Sequence, residues 1–379
     1  NFILSILSLI IFNLSSVAQT WTQVGSDIDG EAANDGSGRS VSLSSDGSTV
    51  AIGANFNAGG GTDAGRVRIY KNISGTWTQV GSDIDGEAAG DYSGSSVSLS
   101  SDGSIVAIGA KSNEGNGFAS GHVRIYKNIS STWTQVGSDI DGELIGDQSG
   151  CSVSLSSDGS IVAIGANLSD QRGTKAGRVR VYKNISGTWT QQGSDIDGEA
   201  KDDQFGDAVS LSSDGSTVAI GAPYNDGNGA FAGHVRIYKN ISGTWTQVGS
   251  DIDGEAANDR SGYSVSLSSD GSIVAIGAYR NSSLAGHVRI FKNISGTWTQ
   301  QGSDIDGEDV YGWSGFSVSL SSDGSIVAIG ATYNGGNGQS AGHVRIYKNI
   351  SGTWTKQGSD IDGEAARDAS GHSVSLSSD

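Results

Sequence analysis

"SSVSLSSDGSIVAIGA", residues 95–110, decides the fold. Val97 and Leu99 alternate with serines. After Ser101-Asp102-Gly103, Val106 and Ile108 alternate in the same way. Alternation with period two on both sides of an Asp-Gly pair is the pattern of two strands joined by a tight hairpin. Two more strand-like segments follow, "HVRIYKN" (122–128) and "TWTQVGSDI" (132–140), set off by Gly/Asn/Ser-rich connectors. No segment has helical spacing of apolar residues. The unit is therefore four strands, lettered A to D in chain order, and the chain reads as all-β.

The unit recurs throughout. Thr-Trp-Thr places its Trp at 21, 77, 133, 189, 245, 298 and 354, a spacing of 56 residues broken once by 53. A fixed period with four antiparallel strands per copy is the arithmetic of a β-propeller; solenoid coils are shorter and hold no four-stranded meander. The chain opens with a D strand (20–28), closes with an A strand (371–379), and holds six complete units between them. A blade shared between the two ends would close the ring. The expectation is a seven-bladed propeller whose last blade is incomplete in this fragment.

Composition narrows the function. The chain carries 41 acidic and 23 basic residues, a net charge of −18, which argues against nucleic acid and against direct binding to an anionic membrane. There is one cysteine, Cys151, so no intrachain disulfide can form. Its counterparts in the other copies are Arg39, Ser95, Asp207, Tyr263, Phe316 and His372, a variety that does not read as a nucleophile's position. An apolar run from Phe2 to Leu14 precedes Ser16-Val17-Ala18. Residues 1–18 read as a secretory signal lacking its Met and basic start, and residues 19–379 as propeller repeats. The expected setting is secreted, extracellular or cell-surface, with no membrane insertion once the signal is removed.

Comparing the copies with one another shows where they differ. The strands barely change. The D–A connection varies, from "EAANDGSGR" to "EDVYGWSGF", and so does the B–C connection, from "NFNAGGGTDA" to "YRNSSLA". In an up-and-down blade these two connections share one face of the disc, and loops on a rigid scaffold are where binding residues gather. Tyr224, Asn225, Asp226, Phe231, Tyr279, Arg280, Tyr311, Trp313 and Tyr333 are the candidate ligand contacts. Packing between blades is the competing role for Trp313 and its neighbour Phe316. Asp27, Asp29 and Glu31, with their repeats, should ring this same face and form a second-rank candidate cation site. Lys71 and its repeats fall beside the opposite, C–D end.

Phe205-Gly206 and Gly221-Ala222-Pro223, spaced as they are within one four-strand unit, resemble the FG-GAP repeat of the propeller at the N-terminus of integrin α-subunits. The likeness covers residues 20–379, with the full signature in one copy. It implies an extracellular adhesion or ligand-binding platform whose ligands approach the D–A and B–C face. The family's A–B hairpin often carries a calcium loop rich in Asp. Here the loop places are Ser210, Ser212, Asp214-Gly215 and Thr217, and other copies put Ile105, Ile161, Ile273 or Ile326 at the last one. Calcium wants six to eight oxygens, so no metal is expected at Asp46, Asp102, Asp158, Asp214, Asp270 or Asp323, and no cofactor is expected.

The remaining candidates read as structure. His122, His234, His287 and His343 share a strand position with Arg66 and Arg178, which argues against an obligatory metal ligand or base. The repeated Trp reads as an inter-blade residue. Asn72 and its Asn-Ile-Ser repeats would be glycosylation acceptors in a eukaryote. A near-symmetric sequence offers no asymmetric constellation for catalysis, so the chain reads as no enzyme. The reading is a non-enzymatic binding or adhesion propeller that presents its variable loops to an extracellular protein or glycan. The alternative is a structural repeat segment of a large surface protein with no ligand of its own.

Overall fold

The computed structural model describes residues 20–170 and 173–378; the expected signal, residues 1–18, lies outside them. In the copy that carries Phe205-Gly206, the strands are Ala208–Leu211 (A), Thr217–Ala222 (B), His234–Ile241 (C) and Thr244–Gln247 (D), each antiparallel to the next. Strand B is buried at every position, as its unbroken run TVAIGA requires of a central strand packed on both faces. The D segment breaks after Gln247. Val248 N still bonds to the Ile237 carbonyl, Gly249 takes φ 75°, and Ile252–Asp253 pairs again with the start of strand C. A fifth, two-residue strand results in five of the sheets. In the last, the strand runs unbroken over Thr353–Asp362.

The blade count corrects the sequence reading. Among the described residues the strands make six sheets, not seven. Residues 373–378 form no sheet of their own, but they fill a place around the axis. The Leu376 amide donates to Ser319 Oγ at 3.0 Å on one side. On the other, the Leu43 amide donates to Ser375 Oγ at 3.0 Å, and the Ser378 amide to the Ser45 carbonyl at 2.8 Å. A serine-rich segment with Val374 and Leu376 can close the circle through side-chain and single backbone bonds without the ladder partners that would make it a blade.

The core lies between blades. Ala107, Val123, Ile125 and Ile140 of one blade pack against Val153, Leu155, Val162 and Ile164 of the next. Two hydrogen-bond belts follow the axis. In one, each A-strand Leu amide bonds to a Ser Oγ of the neighbouring blade, as Leu211 does to Ser154 at 2.9 Å. In the other, Ser45, Ser101, Ser157, Ser213 and Ser269 each donate a backbone amide to the serine carbonyl one blade on, at 2.8 Å. At the rim, the indole of every repeated Trp donates to a D-segment carbonyl of the preceding copy, from Trp21 to Gln357 O at 3.1 Å through Trp245 to Gln192 O at 2.8 Å. The inter-blade role expected for the tryptophans is what the structure shows.

These contacts explain the signature glycines. A Cβ on Gly221 would collide with the carbonyl of Gly262, the glycine that opens the next blade. Gly206, at φ 91°, stands in the same relation to Gly165 behind it. The two glycines of the motif are thus the two sides of one repeated contact between successive blades, Gly206 meeting the blade before and Gly221 the blade after.

Candidate functional site

The strand order brings the B–C and D–A connections to one face, and hydrogen bonds tie them together there. Asn57 Nδ2 donates to Asp35 Oδ2 at 2.7 Å, and the same Asn-to-Asp bond joins Asn113 to Asp91 at 3.1 Å and Asn225 to Asp203 at 3.0 Å. Parallel bridges such as Gly233 to Ser261 link each B–C loop to the following D–A loop. The variable loops are therefore held on a fixed frame. Lys71 pairs with Thr49 beside the A–B turn, on the opposite face, as expected.

The residue after Gly38 and its counterparts, where each A segment begins, is Arg39, Ser95, Cys151, Asp207, Tyr263, Phe316 or His372. Neighbours among them touch or act on one another. Tyr263 and Phe316 have ring centroids 4.9 Å apart, and so do Phe316 and His372. Burial pushes the Cys151 thiol up to about 12, and the Asp207 charge adds to this. Burial lifts Asp207 to about 6, against a 2.6 Å hydrogen bond from Asn167 Nδ2 and the charges of Lys111 and Arg260. Burial, then Arg39, lowers His372 to about 4. Burial raises the Tyr263 phenol, with the Asp207 charge acting the same way. Six of these side chains, all but Ser95, are linked in this way and frame the axial mouth of this face. One arc of the frame is aromatic and the other polar.

The aromatic arc extends outward. Tyr279 meets Tyr263 at 4.5 Å, the rings tilted at 54°, and Trp313 at 5.1 Å; Trp313 meets Tyr333 at 4.1 Å. Tyr279 is buried, while Tyr311 and Tyr333 are exposed. Arg260 lies over Tyr224 at 3.7 Å and Phe231 at 4.6 Å, burying a guanidinium between two rings.

The structure therefore sorts the expected contacts. Tyr279, Trp313 and Tyr333 come together beside the mouth, with Arg280 over the Tyr279 ring at 5.9 Å. Tyr224 and Phe231 form a second group through Arg260. Asn225 is used internally: it donates to Asp203, and its Oδ1 accepts from Gly227 N at 2.8 Å. Asp226 accepts from Phe231 N at 2.7 Å and shapes the loop. Tyr311 stands apart on the surface.

On the other face, Asp214 Oδ1 accepts from Ser212 Oγ at 2.7 Å and from Ser216 N at 2.9 Å, an Asx turn that engages the carboxylate locally. Asp46, Asp102, Asp158, Asp270 and Asp323 repeat it. The Asn72 Oδ1 accepts from Gly75 N at 2.8 Å while its Nδ2 is buried, so the Asn-Ile-Ser side chain serves the hairpin. The candidate acids Asp27, Asp29, Glu31 and their repeats do lie on the variable face, and around Arg66 the chain supplies cations of its own. Glu31 pairs with Arg66, which also binds Asp83 at 2.9 Å and Asp85 at 2.6 Å; Asp29 offers its carbonyl to Arg68 at 2.6 Å, and Asp27 accepts from Gln23 at 2.7 Å.

A family model described as the FG-GAP repeat matches residues 189–238, the copy around Phe205-Gly206. No curated protein matches the chain. Solved structures match its shape. A Bacteroides uniformis protein assigned as a 6-phosphogluconolactonase aligns at TM-score 0.60 and 12% identity, over 87% of each chain. The periplasmic gluconolactonase of Pseudomonas aeruginosa aligns at 0.58 and 17%, over 86% of this chain and 85% of that one. Hydrazine synthase of Kuenenia stuttgartiensis aligns at 0.59 and 14%, over 95% and 94%. At these identities the likeness is one of fold. It nonetheless corrects the exclusion of an enzyme: all three of these structures carry enzyme names. The sequence symmetry behind that exclusion also fails at the axial mouth, where every blade contributes a different side chain.

Proposed function

We propose that this chain, an FG-GAP-type β-propeller, is an extracellular binding platform that takes a saccharide at the axial mouth of its variable face. The observation that carries the reading is the two-sided frame there. Tyr263, Phe316 and Trp313 offer rings, while Asp207 and Arg39 offer an acceptor and donors on the other arc. Sugars present C–H faces and hydroxyls in that combination, and a concave site with an apolar wall and a few convergent polar groups is the usual form of a small-molecule pocket. The low pKa of His372 leaves that ring neutral at physiological pH, able to accept or donate a hydrogen bond.

A second reading, a protein partner, is favoured by the rim. Phe118 and Ile145, on adjacent loops of the same face, are 72% and 71% exposed. A glycan array followed by calorimetry decides between the two. Binding of a saccharide that falls at least tenfold in both Trp313→Ala and Arg39→Ala supports the first. No saccharide binding, or binding indifferent to both substitutions, defeats it and leaves the rim, or a purely structural segment, as the reading.

A further inference from the structure

The first residue of each C strand faces the acids of the "SDIDGE" segments, and it is Arg in two blades and His in four. In the Arg blades a guanidinium fills the space among the carboxylates. Arg178 Nη1 lies 2.8 Å from Asp195 Oδ2 and 2.6 Å from Glu143 Oε2, and its Nε lies 2.9 Å from Asp197 Oδ1. In the His blades the carboxylates remain and the guanidinium is gone. His122 Nδ1 points at Asp139 Oδ2 from 3.8 Å and at Glu87 Oε2 from 3.9 Å. His287 Nδ1 sees Asp304 Oδ2 and Glu255 Oε2, both at 3.9 Å, and His234 Nδ1 sees Asp251 Oδ2 at 3.7 Å. These separations are too long for hydrogen bonds.

The imidazoles are 1% exposed, and the Nε2 of each has no partner among the described residues. It is the Nδ1, turned to the carboxylates yet beyond hydrogen-bond reach of them, that a cation or water between them would satisfy; the Nε2 stays orphaned either way. We propose that His122, His234 and His287, each with its Glu and Asp, hold a divalent transition ion of the zinc type. Within each trio the candidate ligand atoms lie within 4.8 Å of one another. Two ligands of one zinc stand about 3.4 Å apart, given bonds near 2.1 Å and tetrahedral angles. The His-to-carboxylate separations of 3.7–3.9 Å need a few tenths of an ångström of closure, and the widest pairs, up to 4.8 Å, need up to about 1.4 Å, a movement open to the part-exposed carboxylates.

The surrounding groups fit the assignment. Gln135 holds Asp139 Oδ1 at 2.6 Å, and Gln247 and Gln300 hold Asp251 and Asp304 at 2.6 and 2.7 Å, leaving each Oδ2 turned to the histidine. Arg124 lies 3.4 Å from Glu87 Oε1, leaving Oε2 for the ion. Outer partners that fix one oxygen of a ligating carboxylate are a regular part of metal sites. One imidazole nitrogen with two carboxylates suits zinc better than calcium, which takes oxygens alone. Burial lowers the pKa of these histidines, so they are neutral and able to ligate at pH 7. His343 is left out because Asp360 beside it is engaged by Arg345 and Lys356.

The Arg blades supply the control, since they show that the fold accepts Arg at this position. Untagged, metal-stripped protein titrated with zinc chloride should bind three ions. His122→Arg should bind two, the triple His→Arg variant none with comparable affinity, and Arg66→His should gain one. Zinc should also shift the imidazole resonances of His122, His234 and His287 and leave His372 unmoved. Fewer than one ion bound by the wild type, unchanged stoichiometry in the triple variant, or zinc binding that leaves those three resonances in place would each overturn the assignment.

Discussion

The Leu43 amide donates to Ser375 Oγ at 3.0 Å across 332 residues of chain. This bond is one of several at the seam of the ring, with Val41 N to Ser373 Oγ, Ser378 N to Ser45 O and Trp21 Nε1 to Gln357 O. The equivalent bond within the chain, Leu211 to Ser154, spans 57 residues. The seam therefore holds together parts of the molecule that nothing else in the chain order keeps close. Ser375→Ala should cost about 1 kcal/mol, the usual net worth of one such bond. Removing residues 371–378 should cost several times more and speed amide exchange at Val41 and Leu43 ahead of the other blades. A deletion that leaves the melting temperature unchanged would show that the ring does not depend on its seam.

The tryptophan clips differ in burial and should differ in energy. Trp245 is 8% exposed and Trp21 is 39% exposed, though both indoles donate to the preceding D segment. Trp245→Phe keeps most of the packing and should lose about 1 kcal/mol. Trp245→Ala should lose about 3–5 kcal/mol. Trp21→Ala should lose less than either, as read by denaturant unfolding.

Asp207 sets a pH dependence whose sign runs against that of most carboxylates. Burial raises its pKa from 3.8 to about 6 in the folded state. Between those values the folded protein holds a proton that the unfolded chain has released, so stability falls as pH climbs through this window. Above pH 6 the buried charge costs up to about 3 kcal/mol, at 1.36 kcal/mol per pKa unit. Asp207→Asn should therefore be more stable than the wild type at pH 7.5 and lose most of that advantage by pH 4. Equal stability differences at both pH values would refute the assignment of this shift to Asp207.

Cys151 offers an inexpensive check on the axial mouth. Burial raises its thiol to about 12, so little thiolate exists at pH 8. Reaction with a disulfide reagent should be at least tenfold slower in the native protein than in guanidinium, with one thiol per chain titrated after unfolding. Rapid native labelling would mean that the mouth is more open or more positive than the Asp207–Cys151 pairing allows.

Features encoded within one copy could be read from the sequence. The alternation of Val97 and Leu99 and the Asp102-Gly103 turn give the hairpin, and the invariant Trp gives the inter-blade clip. The break in strand D was missed, although Gly137, at φ 75°, sits where it occurs. The blade count failed for a different reason. Copy number reveals how many segments exist, but whether residues 373–378 gain ladder partners depends on tertiary pairing. The axial mouth was in plain view as the position shared by Arg39, Cys151 and Asp207. It read as mere tolerance because variation along a line does not show that these residues meet across a circle. The exchange of His122 for Arg66 was discounted for the same reason, since the carboxylates facing both become visible only in three dimensions.

Every blade grips its neighbour with the same indole, the same serine belts and the same glycine contact, so the scaffold is indifferent to the order in which blades follow one another. The side chains at the mouth are not. Excising one cassette of the gene and reinserting it elsewhere would permute Arg39, Ser95, Cys151, Asp207, Tyr263, Phe316 and His372 around the axis without disturbing a single inter-blade bond type. Recombination between near-identical repeats could thus re-sort the recognition chemistry wholesale, in one step, where point mutation would have to rebuild it residue by residue.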